Sequence, residues 1–300
     1  MKKFYYTLLI LVSVIAASCS DDDVTPQLKD TPLAFLPAAD DNSEEAQIRR
    51  DFYQTYGSFL LFNDTLQHEA LGKDVNGDVR YFTEVLDLNY QVGMSTNSNE
   101  KFKFSVMTDM EAKRVAVQYV KDYLLVHLTG KLKPYSWLLV DKIQRNFLGS
   151  VSSPYAATGE RAIALACNVL PRLSDEQKEQ YTAQVMTTII AKLANDNAAA
   201  FEDFLRVSAA YYDGSFTIPS SNAENTEMLN KVGFIVRGTD EFKYEANGLY
   251  PSQEQDIKSY ARLIVVNTAE ALQTKYADYP LVLEKCGIMR ETLKSLGYVE

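Results

Sequence analysis

Apolar positions recur along the chain with two periods, one near 3.6 and one of two, and together they predict an alternation of helices and strands. Between Ser43 and Tyr56 an acidic first turn (Glu44, Glu45) leads into Ile48, Phe52, Tyr53 and Tyr56 on one face, and Gly57 ends the pattern. This is an amphipathic helix with a glycine stop. Ser58 to Asn63 is a short apolar strand, and Lys73 to Tyr81 carries an Asn76-Gly77 turn between alternating positions, a hairpin signal. Thr108-Asp-Met-Glu111 reads as a capping box opening a helix to about Leu128, with Gly130 beyond it. Tyr135 to Val140 is a further strand, and Ala162 to Val169 another. Ser174-Asp-Glu-Gln177 caps a helix through about Asn195, and a helix follows over Ala198 to Tyr211. Ser252-Gln-Glu-Gln255 caps a long helix to about Tyr276, and Pro280 opens the last, which ends near Gly297. Strands come early and helices dominate later, so the fold class is α+β rather than a doubly wound sheet.

The N-terminus follows a different rule. Met1-Lys2-Lys3 is basic, Phe4 to Ile15 is an apolar run of 12 residues, and Ala16-Ala17-Ser18 leads to Cys19. Such a run is too short to cross a hydrocarbon core of about 30 Å as a helix, so residues 1–18 read as a signal peptide. Small residues directly before a cysteine resemble the bacterial lipobox, which implies cleavage before Cys19 and a lipid on that residue. An ordinary signal peptide cut near Ser18 is the alternative. Ser20-Asp21-Asp22-Asp23 resembles the surface-export signal of Bacteroidetes lipoproteins; a solvated spacer explains the same residues. Pro26, Pro32 and Pro37 make residues 19–42 a tether. Residues 43–300 form one domain. No second stretch is long enough to span a bilayer, so the outer membrane is reached through the lipid on Cys19 alone.

Composition narrows the chemistry. The 300 residues hold 40 acidic and 30 basic side chains, a formal charge of −10, with 46% apolar content. A core is affordable at that size, while the excess of acid disfavours nucleic acid as a partner, because no basic stripe is available for phosphates. Two histidines, His68 and His127, are too few and too far apart for a His-Glu-x-x-His zinc helix. No Gly-x-Ser-x-Gly, phosphate loop or Cys-x-x-Cys is present. Cys167 lies in an apolar run and reads as a buried thiol; whether it meets Cys286 is open. The acids Glu202, Asp203, Glu254 and Asp256 have no local spacing for a hydrolytic dyad. Among the aromatic residues, Tyr211, Tyr212 and Trp137 read as core, while Tyr244 and Tyr250 lie in a polar, Gly-containing stretch and are candidates for ligand contact.

The order of segments resembles the zinc-binding metallopeptidase-like lipoproteins of Bacteroidetes, which accompany starch-utilisation-type outer-membrane systems. Phe52-Tyr-Gln-Thr-Tyr-Gly57 with Phe59-Leu-Leu-Phe62 carries it first, and Leu132-Lys-Pro-Tyr-Ser-Trp-Leu-Leu-Val140 next. Gly233-Phe-Ile235, Gln255-Asp256-Ile257-Lys-Ser-Tyr260 and Tyr279-Pro280 with Lys285 complete it. The resemblance implies a zincin-like domain with a small sheet and a helix-rich C-terminal half. It also implies a zinc helix just before Phe201–Tyr211, faced by a helix around Glu254 to Tyr260 that supplies a third ligand. At the zinc-helix positions this chain carries Ala191, Lys192 and Asn195 where His, Glu and His stand in the family. Ala has no donor, an ammonium repels zinc and an amide is a poor zinc ligand. The expectation is therefore a surface lipoprotein whose metallopeptidase-like domain is inactive, needs no cofactor, and binds a glycan, a peptide or a partner protein in nutrient uptake. The alternatives are a metal-independent hydrolase and an accessory subunit of an outer-membrane transporter.

Overall fold

The computed structural model describes residues 34–88, 100–235 and 247–300. The signal segment, Cys19, most of the tether and Tyr244 lie outside the described residues. Contacts divide the chain into two units, Met1–Ala34 and Phe35–Glu300, and the regular structure of the described residues lies in the second.

Nine strands and eight α-helices make up the regular structure of the described residues, with short 3₁₀ and π turns between them. The central sheet runs β1 (Phe59–Leu61), β5 (Ser136–Val140), β9 (Ile163–Ala166), β8 (Ala156–Thr158) in that order. The first three are parallel, and β8 closes the sheet antiparallel to β9. Strand β5 is buried at all five positions, which is why its sequence is a continuous apolar run rather than an alternation. The pleat still sorts its side chains. Trp137 and Leu139, with Leu60 and Leu165, enter one core; Leu138 and Val140, with Phe59, Leu61 and Ala164, enter another on the opposite face.

The first core is roofed by helices. On it lie α1 (Glu44–Tyr56), α2 (Met110–Tyr119), α3 (Asp175–Asp196), α6 (Gln253–Val266) and α8 (Pro280–Leu296), through Phe52, Tyr119, Ile190, Tyr260 and Met289 among others. The second core is closed by Phe35, Leu86, Leu88 and Ile143. Alongside stand the hairpin β2 (Thr65–Lys73) and β3 (Val79–Val85), and an antiparallel sheet of β4 (Glu100–Ser105), β6 (Lys142–Phe147) and β7 (Ser150–Ser152). The smaller helices are α4 (Glu202–Arg206), α5 (Asn222–Lys231) and α7 (Ala269–Lys275). The arrangement is α+β, with strands mostly in the first half and helices in the second.

Local signals explain most boundaries. Ser43 accepts from the Ala46 N–H at 3.2 Å and Gly57 takes the left-handed conformation (φ 61°), fixing both ends of α1. Ser174 and Ser252 form complete capping boxes with Gln177 and Gln255. Five expectations shift. The folded unit begins at Phe35, not Ser43: the Phe35 ring meets Phe59 and Tyr135 at 5.3 and 5.1 Å, so residues 35–42 belong with it. Asp109, not Thr108, caps α2: in extended backbone just before Met110, its carboxylate accepts from the Ala112 N–H, three residues on, at 3.0 Å. That helix also ends at Tyr119 and continues as a π turn over Val120–Leu124. The helix expected over Ala198 to Tyr211 is a 3₁₀ turn followed by five residues of α4. The long helix to Tyr276 breaks at extended Asn267, and Thr268 caps α7. Helix α5 was not foreseen, although Ser221 and Glu224 carry the cap spacing and Ser221 accepts from the Glu224 N–H at 3.2 Å.

One buried charge ties the helical half together. Lys285 of α8 is fully buried and ion-paired with Asp256 of α6, itself 1% exposed. The Tyr212 hydroxyl donates to Asp256 at 2.7 Å, and the rings of Phe204, Tyr260 and Phe234 surround the ammonium at 4.5, 4.7 and 4.8 Å. Burial pulls Lys285 below the ordinary ammonium range, and the Asp256 charge opposes that pull. Lys285→Ala is expected to lower the unfolding free energy by about 3–5 kcal/mol, because the buried carboxylate loses its ammonium. Tyr212→Phe removes one hydrogen bond and is expected to cost about 1–2 kcal/mol. Urea unfolding of both variants checks the ranking.

Candidate functional site

A cleft of about 840 Å³ opens beside the central sheet. Its floor is one stripe of α3, where Gln184, Thr187, Thr188, Ala191, Lys192 and Asn195 recur at helical spacing. One wall is the edge strand β8 with its flanks, Tyr155 before it and Gly159-Glu160 after it. The other wall is the first two turns and more of α6, where Glu254, Lys258 and Arg262 follow each other four residues apart. Glu100, Phe102 and Arg145 close the end nearest β4 and β6. Packing dictates this layout: the side of α3 with Met186 and Ile190 is committed to the core, and the stripe with Lys192 and Asn195 borders β8 and α6, where Thr187 and Ala191 stay buried at the cleft floor.

The three positions singled out from the sequence, Ala191, Lys192 and Asn195, therefore all line the cleft, and the helix beginning at Ser252 lies across from them. Tyr250 is placed elsewhere. Its ring meets Phe216 at 5.0 Å, Tyr211 at 5.3 Å and Phe234 at 5.7 Å, so it belongs to a satellite core beneath the loop rather than standing free for a ligand. Trp137 is fully buried in the main core.

The cleft carries charge of both signs, and nearly all of it is paired. Lys192 bridges Glu160 at 2.9 Å and Asp196 at 2.8 Å. Arg145 pairs with Glu100, and Lys258 with Glu254. Burial pulls Lys192 down, but the hydrogen bonds and charges of Asp196 and Glu160 outweigh it and raise its pKa, so it stays a cation at neutral pH. A zinc ion of the kind the resemblance implies does not fit these residues: an alanine, a doubly engaged ammonium and an amide occupy its helix. Among the described residues no group of three or more His, Cys, Asp or Glu is placed to hold a metal ion. Both histidines are engaged locally, His68 with the Thr83 hydroxyl at 2.9 Å and His127 with the Val299 carbonyl at 2.7 Å.

The carboxylates suggested for metal-independent hydrolysis are not assembled. Asp203 pairs with Arg206 at 2.8 Å in a separate groove between α4 and α8, and Asp256 is sealed against Lys285. Sequence reasoning missed Arg145, Lys258, Arg262 and Glu160 as cleft residues. The four-residue spacing on α6 was visible; its orientation toward α3 was not. No helix of the described residues is long and apolar enough to cross a membrane. No protein-family model matches the chain, and neither a curated protein nor a solved structure does.

Cys167 and Cys286 are free and buried. Burial raises Cys167 well above the ordinary thiol range and pushes Cys286 up to about 11. Both thiols are expected to resist iodoacetamide at pH 8 in the native chain and to react fully in guanidinium, read as mass added per chain.

Proposed function

We propose that this protein is a lipid-anchored binding module of the outer membrane, in which a metallopeptidase-like cleft holds an extended peptide without cleaving it. The observation that carries this reading is the placement of Ala191, Lys192 and Asn195 on the floor of a cleft, with a second helix carrying Glu254 across from them. That is the layout which the resemblance to the Bacteroidetes lipoproteins implies for a zinc helix and its third-ligand helix. Here the chemistry of those positions has changed. Lys192, where a general base would stand, is a cation committed to Glu160 and Asp196, so it neither accepts a proton nor tolerates a metal beside it.

What remains is a shaped groove beside a sheet edge. No strand of the described residues pairs with the outer side of β8. An extended chain lying there can add main-chain hydrogen bonds to the edge while its side chains contact α3 and α6, which is a general mode of peptide recognition. This favours a peptide over the glycan also expected from sequence, since the ring of Tyr250 packs in the satellite core and does not line the cleft. The N-terminal signal, Cys19 and the acidic residues after it support display at the cell surface, with the domain held off the membrane by its own negative charge.

The decisive experiment is metal reconstitution. The purified chain is expected to carry substoichiometric zinc and to show no chelator-sensitive proteolysis. The triple variant Ala191→His/Lys192→Glu/Asn195→His is expected to gain a stoichiometric zinc site, measured by elemental analysis, with circular dichroism unchanged. Stoichiometric zinc with chelator-sensitive peptidase activity in the unaltered chain overturns the non-catalytic reading; failure of the triple variant to gain zinc overturns the placement of the helix.

A further inference from the structure

Charge bookkeeping in the cleft leaves one group over. Its four carboxylates, Glu100, Glu160, Asp196 and Glu254, are each held by Arg145, Lys192 or Lys258. The remaining cation is Arg262, half-buried on the same stripe of α6, with no hydrogen bond or ion pair to any of the described residues. A guanidinium offers five N–H donors in a planar fork, a shape that a carboxylate fills with two parallel hydrogen bonds. Its neighbour one turn before, Lys258, is already spent on Glu254, so among the described residues no acid of the cleft competes for Arg262.

We infer that the cleft selects peptides bearing a carboxylate, received by Arg262 while the peptide backbone lies along β8. This rests on the peptide-binding reading above and adds to it the chemistry of the ligand. The two sites are complementary in kind. The edge strand gives affinity without regard to sequence, and Arg262 supplies the discrimination that backbone hydrogen bonds cannot. The carboxylate has two possible sources on a peptide, an acidic side chain or the C-terminus, and both present the same pair of oxygens. The ion pairs around the cleft also guard against the wrong ligand: a peptide rich in Lys or Arg finds the four described cleft carboxylates taken and meets Arg262 as a like charge.

The test uses the full chain and immobilised hexapeptides of Ala, Ser and Thr in biolayer interferometry. One peptide carries a central Glu and an amidated C-terminus, one carries Gln in its place, and one is neutral with a free C-terminal carboxylate; trigalacturonate serves as a carboxylate without a peptide backbone. The Glu or free-carboxylate peptide is expected to bind about tenfold tighter than the Gln peptide, the worth of one charge-assisted pair, and whichever of the two does so identifies the source. Arg262→Gln is expected to erase that difference while leaving the weak Gln-peptide binding, and Arg262→Lys to restore only part of it, because a lysine lacks the fork. Equal binding of all peptides, unchanged in Arg262→Gln, overturns the carboxylate inference and leaves the peptide cleft standing. Binding of trigalacturonate with no peptide bound overturns the peptide reading, and binding of none of the four overturns both.

Discussion

Strand β5 is the constraint from which the rest of the structure follows. A strand buried on both faces exposes two apolar surfaces, and neither can be left to water. Parallel pairing with β1 and β9 satisfies its backbone and extends both surfaces. Helices then cover one face, and Phe35, Leu86, Leu88 and Ile143 cover the other. The requirement reaches as far as the segment before α1, where Phe35 is drawn onto Phe59 and becomes part of the fold. Once α3 has packed its apolar side on this sheet, the edge strand β8 and the outward stripe of α3 are neighbours. The cleft is therefore a consequence of covering the sheet.

Electrostatics decide what such a cleft can do. A hydrolytic metal centre needs neutral or anionic donors converging on open space, with a base beside them. Here the floor is occupied by a lysine whose two carboxylate partners lie on the same helix and on the far wall, so charge is consumed in tying α3 to the loop after β8. The same strategy appears in the interior, at far higher stakes. Lys285 and Asp256 sit in a cage of aromatic rings, joining α6 to α8 where neither charge reaches solvent. The residue after Gln255 thus anchors α6 inward while Glu254, two positions before it, looks out into the cleft. One helix serves as lock on one face and as wall on the other.

The elements legible from sequence were those whose signal is local. Capping boxes at Ser174 and Ser252, glycine stops at Gly57 and Gly297, and the apolar runs of β5 and β9 each involve residues a few positions apart, and all were placed correctly. What escaped falls into two kinds. Strand β4 alternates cleanly through Phe102 and Phe104, and α5 has its Ser221 cap, so for those two elements a local signal is present in the sequence. Strand β8 is different: Ala-Ala-Thr has weak strand preference and becomes a strand only because β9 offers it hydrogen bonds. Likewise Tyr250 stands in a polar stretch, the usual mark of an exposed ring, yet Phe216, Phe234 and Tyr211 gather around it.

By itself the sequence determined most of the helices and strands of the core and the paucity of histidines, because these depend on residue type and near-neighbour spacing. It also determined that Ala191, Lys192 and Asn195 share a helix face. Only the tertiary structure decided that this face borders a sheet edge, that α6 stands opposite, and that among the described residues each cleft carboxylate finds a cation while Arg262 finds no acid. Those facts join residues more than a hundred positions apart, such as Glu100 with Lys258 on one cleft. Chain spacing carries no information at that range; which faces meet is settled by how two apolar surfaces of one sheet are buried.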